Sequence, residues 1–274
     1  MKSYKVKICN TKVIISNTRL EIYRYNNYSF RIGEKRKTNN GRRGNDNLDK
    51  DEKEMNTIKS RKTTLVNARN KIIRLIKCNE DMRTFITLTY SSNVNFETSK
   101  KHLRKFFRKL KDDYANLKYL WVLELTKVGR VHYHILTNID FGIPYKDKKQ
   151  KKTEEHKRIE RDIAEKYWGH GYIDIRNLGA EVDNVALYVS CYLVKDLLDK
   201  EELRGQRVFG YSYRTMKTPT IYKYWSDENI EDFLKNILED YELKFTNNYD
   251  ISTEGTVNYF DLEERKNGNI NNDW

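Results

Sequence analysis

The chain has 274 residues, enough for one large domain with appendages or for two small ones, and enough to bury a real core. It holds 53 Lys and Arg against 40 Asp and Glu, a formal charge of +13. The excess is uneven: from Asp227 onward thirteen acidic residues face four basic ones, so that segment carries −9 and the body before it +22. Cys9, Cys78 and Cys191 lie far apart without metal spacing, no apolar run approaches about twenty residues, and "MKSYKVKICN" lacks an apolar signal core. These features argue against a disulfide framework, a membrane span and secretion, so the expectation is a soluble protein of the reducing cytoplasm with no membrane partner. The basic body is expected to bind a polyanion, because each phosphate neutralised by Lys or Arg releases a condensed counterion.

In chain order, "YKVKICNTKVIISNTRLEIYRYNNYSF" alternates apolar and polar residues between Asn-rich breaks and predicts two or three antiparallel strands. Gly33 to Asn56 is dense in charge and almost devoid of large apolar residues, which predicts a mobile linker or arm. Thr57 to Lys77 carries apolar residues at helical spacing with Lys and Arg between them, a basic amphipathic helix whose charged face either meets solvent or meets nucleic acid. "RTFITLTY" reads as a buried strand. "NFETSKKHLRKFFRKLKDDY" reads as a helix with Phe106, Phe107 and Leu110 inward. Its outward stripe supplies Arg104, Lys105, Arg108 and Lys109, which with Arg130 are the candidate nucleic-acid contacts. "LKYLWVLEL" and "VHYHILTNI" are strands parted by "TKVGR". "TEEHKRIERDIAEKYWG" is a helix ended by Gly169, "YIDI" a short strand, "DNVALYVSCYLVKDLL" a helix with Asp183 as its cap, "VFGYSY" a last strand, and Asp227 to Asp240 an acidic helix. A five-residue connection is too short for a crossover, so the central strands form an antiparallel hairpin. The fold class is α+β, a central antiparallel sheet with flanking helices. To it are added N-terminal strands and an acidic helical C-terminal extension.

The hairpin places chemistry. Side chains in a strand alternate between faces, so His132 and His134 project together and Tyr133 goes to the other side. With the turn centred on Val128, residues whose numbers sum to 256 face each other, and Glu124 stands opposite His132. Two imidazoles and a carboxylate then share one face, a three-ligand set for a divalent metal with open positions for water or substrate. The plainer reading is two histidines and a glutamate on a wet sheet face. In the helix after it, Tyr188, Tyr192 and Lys195 fall on one stripe. Taken alone, they read as packing or surface as readily as chemistry. His170, between two glycines, is expected to be a turn residue rather than a ligand.

Together, "FITLTY", "VHYHIL" and "YVSCYLVKD", in that order across about Arg83 to Pro219, resemble the three motifs of the HUH endonucleases. The likeness is to the rolling-circle replication initiators of small plasmids and single-stranded DNA phages in particular. The resemblance implies an RRM-like nuclease domain that nicks one DNA strand with a divalent ion, Mn²⁺ or Mg²⁺, and links a tyrosine to the 5′ end it creates. It makes Tyr192, followed at the usual spacing by Lys195, the first nucleophile and Tyr188 the acceptor at termination. Many relatives carry lysine where this chain has Cys191. The implied partners are single-stranded or supercoiled origin DNA with a host helicase and polymerase, since no GxxxxGK[ST] run is present to power unwinding. Conjugative relaxases and single-strand transposases use the same chemistry, and an RRM-like module that only binds single strands is the non-catalytic alternative. The expected divisions are 1–80 for the N-terminal strands, linker and basic helix, 81–220 for the nuclease domain, and 221–274 for the acidic extension.

Overall fold

The alternating stretches "TFITLTY", "YLWVLEL" and "VHYHILT" become neighbouring strands of one sheet. The structure is a computed structural model that describes residues 7–26, 30–32, 49–126, 128–143, 151–179, 185–186, 188–190, 203, 205–225, 227–251 and 255–265. The chain divides into two units, Asn47–Lys217 and a discontinuous one formed by Met1–Asp46 with Thr218–Trp274.

In the first unit, β5 (Thr84–Tyr90), β6 (Tyr119–Leu125), β7 (Val131–Thr137), β8 (Gly171–Asn177) and β9 (Phe209–Tyr211) form an antiparallel sheet of order β8-β5-β7-β6-β9. One face packs against α2 (Phe96–Asp113), which buries Leu103, Phe106, Phe107 and Leu110. Burying each of these contributes about 1.5–3 kcal/mol. The Tyr133 hydroxyl, from that face, meets Ser99 Oγ of α2 at 2.8 Å, and the Phe107 and Tyr119 rings stack with centroids 3.7 Å apart. Asn95 caps α2 by accepting from Thr98 N at 2.9 Å. Helix α3 (Glu154–Ile163) runs into a π turn, Ala164–Trp168, which ends at Gly169 in the left-handed region, φ 71°, with its N–H on Ala164 O.

Helix α1 (Lys50–Lys77) is buried only from Leu65 onward, through Ala68, Ile72, Leu75 and Ile76. At its end the Asn79 amide donates to Leu75 O and Lys217 O, both at 2.8 Å, and accepts from Lys217 N at 2.9 Å. That clamp ties the start of the unit to its last residue.

The second unit contains β1 (Lys7–Cys9) paired with β4 (Phe30–Ile32). It also holds a five-stranded antiparallel sheet of β10 (Thr220–Trp225), β2 (Thr11–Ser16), β3 (Arg19–Tyr25), β12 (Gly255–Glu264) and β11 (Tyr241–Ile251), in that order. Ile230, Phe233 and Leu234 of α4 (Asp227–Leu238) pack with Val13, Leu20, Ile22 and Leu262.

The α+β class and the antiparallel sheet with flanking helices agree with the sequence. Three expectations need correction. The N-terminal strands do not form a segment with α1: β2 pairs with β10 and β3 with β12, so the division at 1–80, 81–220 and 221–274 gives way to a body interrupted by the other unit. An isolated hairpin is marginal in water, and β2 and β3 gain their partners from some two hundred residues away. The C-terminal extension is helical only to Leu238; β11 and β12 follow as a long hairpin. The stretch read as a linker is helical from Lys50, because the Asp49 carboxylate accepts from Glu52 N at 2.7 Å and holds the first turn.

Candidate active site

The turn that makes the site begins at Thr126, whose N–H donates to Arg130 O at 2.9 Å and whose hydroxyl accepts from Arg130 N at 3.0 Å. Gly129 closes it at φ 76°, a conformation other residues adopt with strain. The resulting register pairs Leu125 with Val131, Glu124 with His132 and Val122 with His134, as the sum of 256 requires. On the other side of β7, Thr89 stands opposite His132 and Thr87 opposite His134.

His134 is buried, at 5% exposure, and its two nitrogens are in contact with different groups. Nε2 is hydrogen-bonded to the Glu124 carboxylate, and Nδ1 lies 3.2 Å from Thr87 Oγ1. A hydroxyl can donate to Nδ1 or accept from it, so Thr87 holds the ring in either tautomer and leaves the choice to what sits at Nε2. The Phe85 ring stacks on His134, centroids 5.5 Å apart and 13° between planes. Tyr188, in the short helical stretch 188–190, meets Phe85 edge-on at 5.0 Å. The sheet therefore brings Glu124, His132, His134 and Tyr188 to one neighbourhood, with Phe85 as the spacer.

His132 is half-buried. Burial lowers its pKa, His134 and Arg130 lower it further, and Glu124 acts against them. The net shift favours the neutral ring, whose lone pair is what a metal takes. Among the described residues, no group of three or more His, Cys, Asp or Glu side chains is arranged to hold a metal ion as it stands. The donor chemistry fits one nonetheless: two imidazoles and a carboxylate on one face, with Thr87 behind Nδ1 as the outer partner a ligating histidine uses. Binding requires the Glu124–His134 hydrogen bond to open around the ion and His132 to turn toward it.

The basic residues separate into two groups. Arg130 is exposed in the turn beside His132. Arg104, Lys105 and Arg108 are exposed on α2, and half-exposed Lys109 donates to Lys166 O at 2.7 Å. Because α2 packs on the face that carries Tyr133, these four lie across the sheet from the histidines. His170 is a turn residue between Gly169 and Gly171, with its ring stacked on His102 at 3.6 Å. Tyr192, Lys195, Cys191 and Asp183 lie outside the described residues. Sequence reasoning overlooked Phe85 and Thr87; the two-residue period of "FITLTY" puts Phe85, Thr87 and Thr89 on one face and was the available signal.

Residues 83–197 match the family model of the replication-associated protein ORF2. The chain is 29% identical over 146 residues to the Phasyl DNA replicon protein arp of Escherichia coli, a match covering 47% of this chain and 49% of that protein. The chain thus spans about half the length of the curated relative it matches. No solved structure matches it. No helix among the described residues is long and apolar enough to cross a membrane. With its histidine hairpin inside the matched region, the chain carries, at residues 83–197, a domain of the replication-associated protein ORF2 family.

Proposed function

We propose that this protein is a replication initiator that nicks one DNA strand at an origin by tyrosine transesterification, leaving a 5′-phosphotyrosine link and a free 3′-hydroxyl primer. The observation that carries the reading is the placement of His132, His134 and Glu124 on one sheet face with Tyr188 one aromatic ring away. The family match and the name of the Escherichia coli replicon protein support the replication role.

His132, His134 and Glu124 would hold a divalent ion, Mn²⁺ or Mg²⁺, which when bound supplies Lewis-acid polarisation of the scissile phosphate. Thr87 fixes His134 from behind, and Phe85 fixes the distance between that ring and the tyrosine helix. Tyr192 attacks in line: its oxygen bonds to phosphorus as the bond to the 3′ oxygen breaks. The proton lost by the phenol is matched by one gained by the departing oxygen, and the number of phosphate ester bonds is unchanged. The step therefore needs no nucleotide cofactor and is reversible. Lys195, one turn further along the stripe, stabilises the developing phenolate. Tyr188 accepts the returning strand while Tyr192 is still esterified. Arg130, at the rim, pairs with a flanking phosphate. A host helicase and polymerase extend the primer.

The test is cleavage of single-stranded and supercoiled DNA from the protein's own replicon with Mn²⁺, repeated in EDTA. Cleavage abolished by chelation is the expected result. Tight strand binding with no cleavage under either condition would favour a stacking module without chemistry, and persistent cleavage in EDTA would remove the metal from the account.

A further inference from the structure

We infer that Tyr172 is a stacking platform for a nucleobase flanking the scissile phosphate, a base subsite of the same catalytic face. The inference rests on the single-strand DNA reading above. In the sheet, Thr89 is opposite His132 on one side and opposite Tyr172 on the other. Glu124, His132, Thr89 and Tyr172 therefore form one cross-strand row, all projecting from the same face. Strands lie about 4.8 Å apart, so the Cα atoms of His132 and Tyr172 are about 10 Å apart. A strand whose phosphate rests at the histidines and which runs along this row passes over Tyr172.

Two further features distinguish Tyr172 from an incidental surface tyrosine. Its side chain is 72% exposed, although it belongs to a strand of the sheet rather than to a loop. Its backbone is held on both edges. At Gly171 a Cβ would come within 2.2 Å of Thr89 O and 2.6 Å of Ser91 N, so β8 is pressed onto β5 at that point, and Ser91 N donates to His170 O at 3.1 Å. Along the outer edge α3 grips the strand: Ile175 N donates to Glu160 Oε1 at 2.7 Å, and His156 Nε2 lies 2.9 Å from Ile175 O. A bare ring on a pinned backbone has two side-chain torsions left to lose, which makes stacking inexpensive in entropy. Stacking engages the π-face that every base has, so the subsite is tolerant of sequence.

The experiment measures binding of a fluorescein-labelled single-stranded oligothymidylate, by anisotropy, to the full chain and to its Tyr172→Phe and Tyr172→Ala variants. Thermal melts are run alongside. We expect Ala to weaken binding about tenfold or more and Phe to restore it to within about twofold, with melting unchanged because the ring is exposed. An abasic nucleotide stepped through the oligonucleotide should cost the wild type the same factor at one position, and cost Tyr172→Ala nothing further there. Equal affinity for wild type and Ala, or additive losses at every position, would overturn the subsite. If wild type shows the stack yet cleaves no DNA, the nickase reading fails and the subsite stands. If wild type does not bind single strands, both fall.

Discussion

Replacing Thr87 by Val keeps the shape of the side chain and removes the hydroxyl that lies 3.2 Å from His134 Nδ1. The site then predicts two effects of different size. In stability, the variant loses one hydrogen bond, with a net contribution of about 0.5–1.5 kcal/mol. For a unit of this length that lowers the melting temperature by roughly 2–4 °C for each kcal/mol lost. In metal dependence, removal of the outer partner of a ligating histidine costs about 10- to 100-fold in affinity. The half-saturating Mn²⁺ concentration for cleavage should therefore rise by that factor while cleavage at saturating Mn²⁺ recovers most of its rate. Thr87→Ser, which keeps the hydroxyl, should stay near wild type in the metal titration. The assay is a Mn²⁺ titration of oligonucleotide cleavage beside a thermal melt of each variant. A Val variant with an unchanged Mn²⁺ midpoint would refute the claim that Thr87 orients His134 for a cation.

Three other outcomes follow from the same geometry. His132→Ala or His134→Ala should lower cleavage by about two orders of magnitude or more while DNA affinity, carried by Lys and Arg, changes little in a parallel binding assay. Gly171→Ala should destabilise the protein by several kcal/mol in urea unfolding, since its Cβ would meet backbone rather than a flexible side chain, at a φ of 151°; a loss below about 0.5 kcal/mol would contradict that packing. Burial alone would raise the Asp174 carboxyl, but hydrogen bonds from Lys152 and Arg176 outweigh it and hold it below its ordinary value. Its contribution to stability is thus present above a pH of about 3.9 and lost as pH falls through the depressed folded value, so Lys152→Met should flatten the acid limb of stability against pH.

The histidine hairpin was legible because its information is local: alternation sets the faces, and a five-residue turn sets the register that brings Glu124 opposite His132. The contact that followed was not legible. The Glu124 carboxylate hydrogen-bonds to His134 rather than to the residue directly opposite, a diagonal choice that depends on side-chain torsions. The pairing of β3 with β12 joins residues about 240 positions apart, and periodicity is silent about partners at that distance. The start of α1 was hidden for another reason. Its first turns are exposed and charged, so they lack an apolar stripe, and only Asp49 marks the boundary. The basic stripe of α2 was read correctly as outward-facing, but which side of the sheet the helix covers follows from Tyr133 and Ser99, a contact spanning 34 residues. As a result, Arg104, Lys105 and Arg108 can bind DNA only beyond the sheet edge from the histidines.

The central claim is that a tyrosine of the stripe Tyr188, Tyr192 becomes covalently joined to DNA at the histidine face. A 3′-labelled origin oligonucleotide, incubated with protein and Mn²⁺ and resolved on a denaturing gel, reports that bond as a labelled band at the mass of protein plus DNA. The account predicts an adduct with wild type and with Tyr188→Phe, none with Tyr192→Phe, and none in EDTA. An adduct that survives Tyr188→Phe and Tyr192→Phe combined in one chain would contradict it.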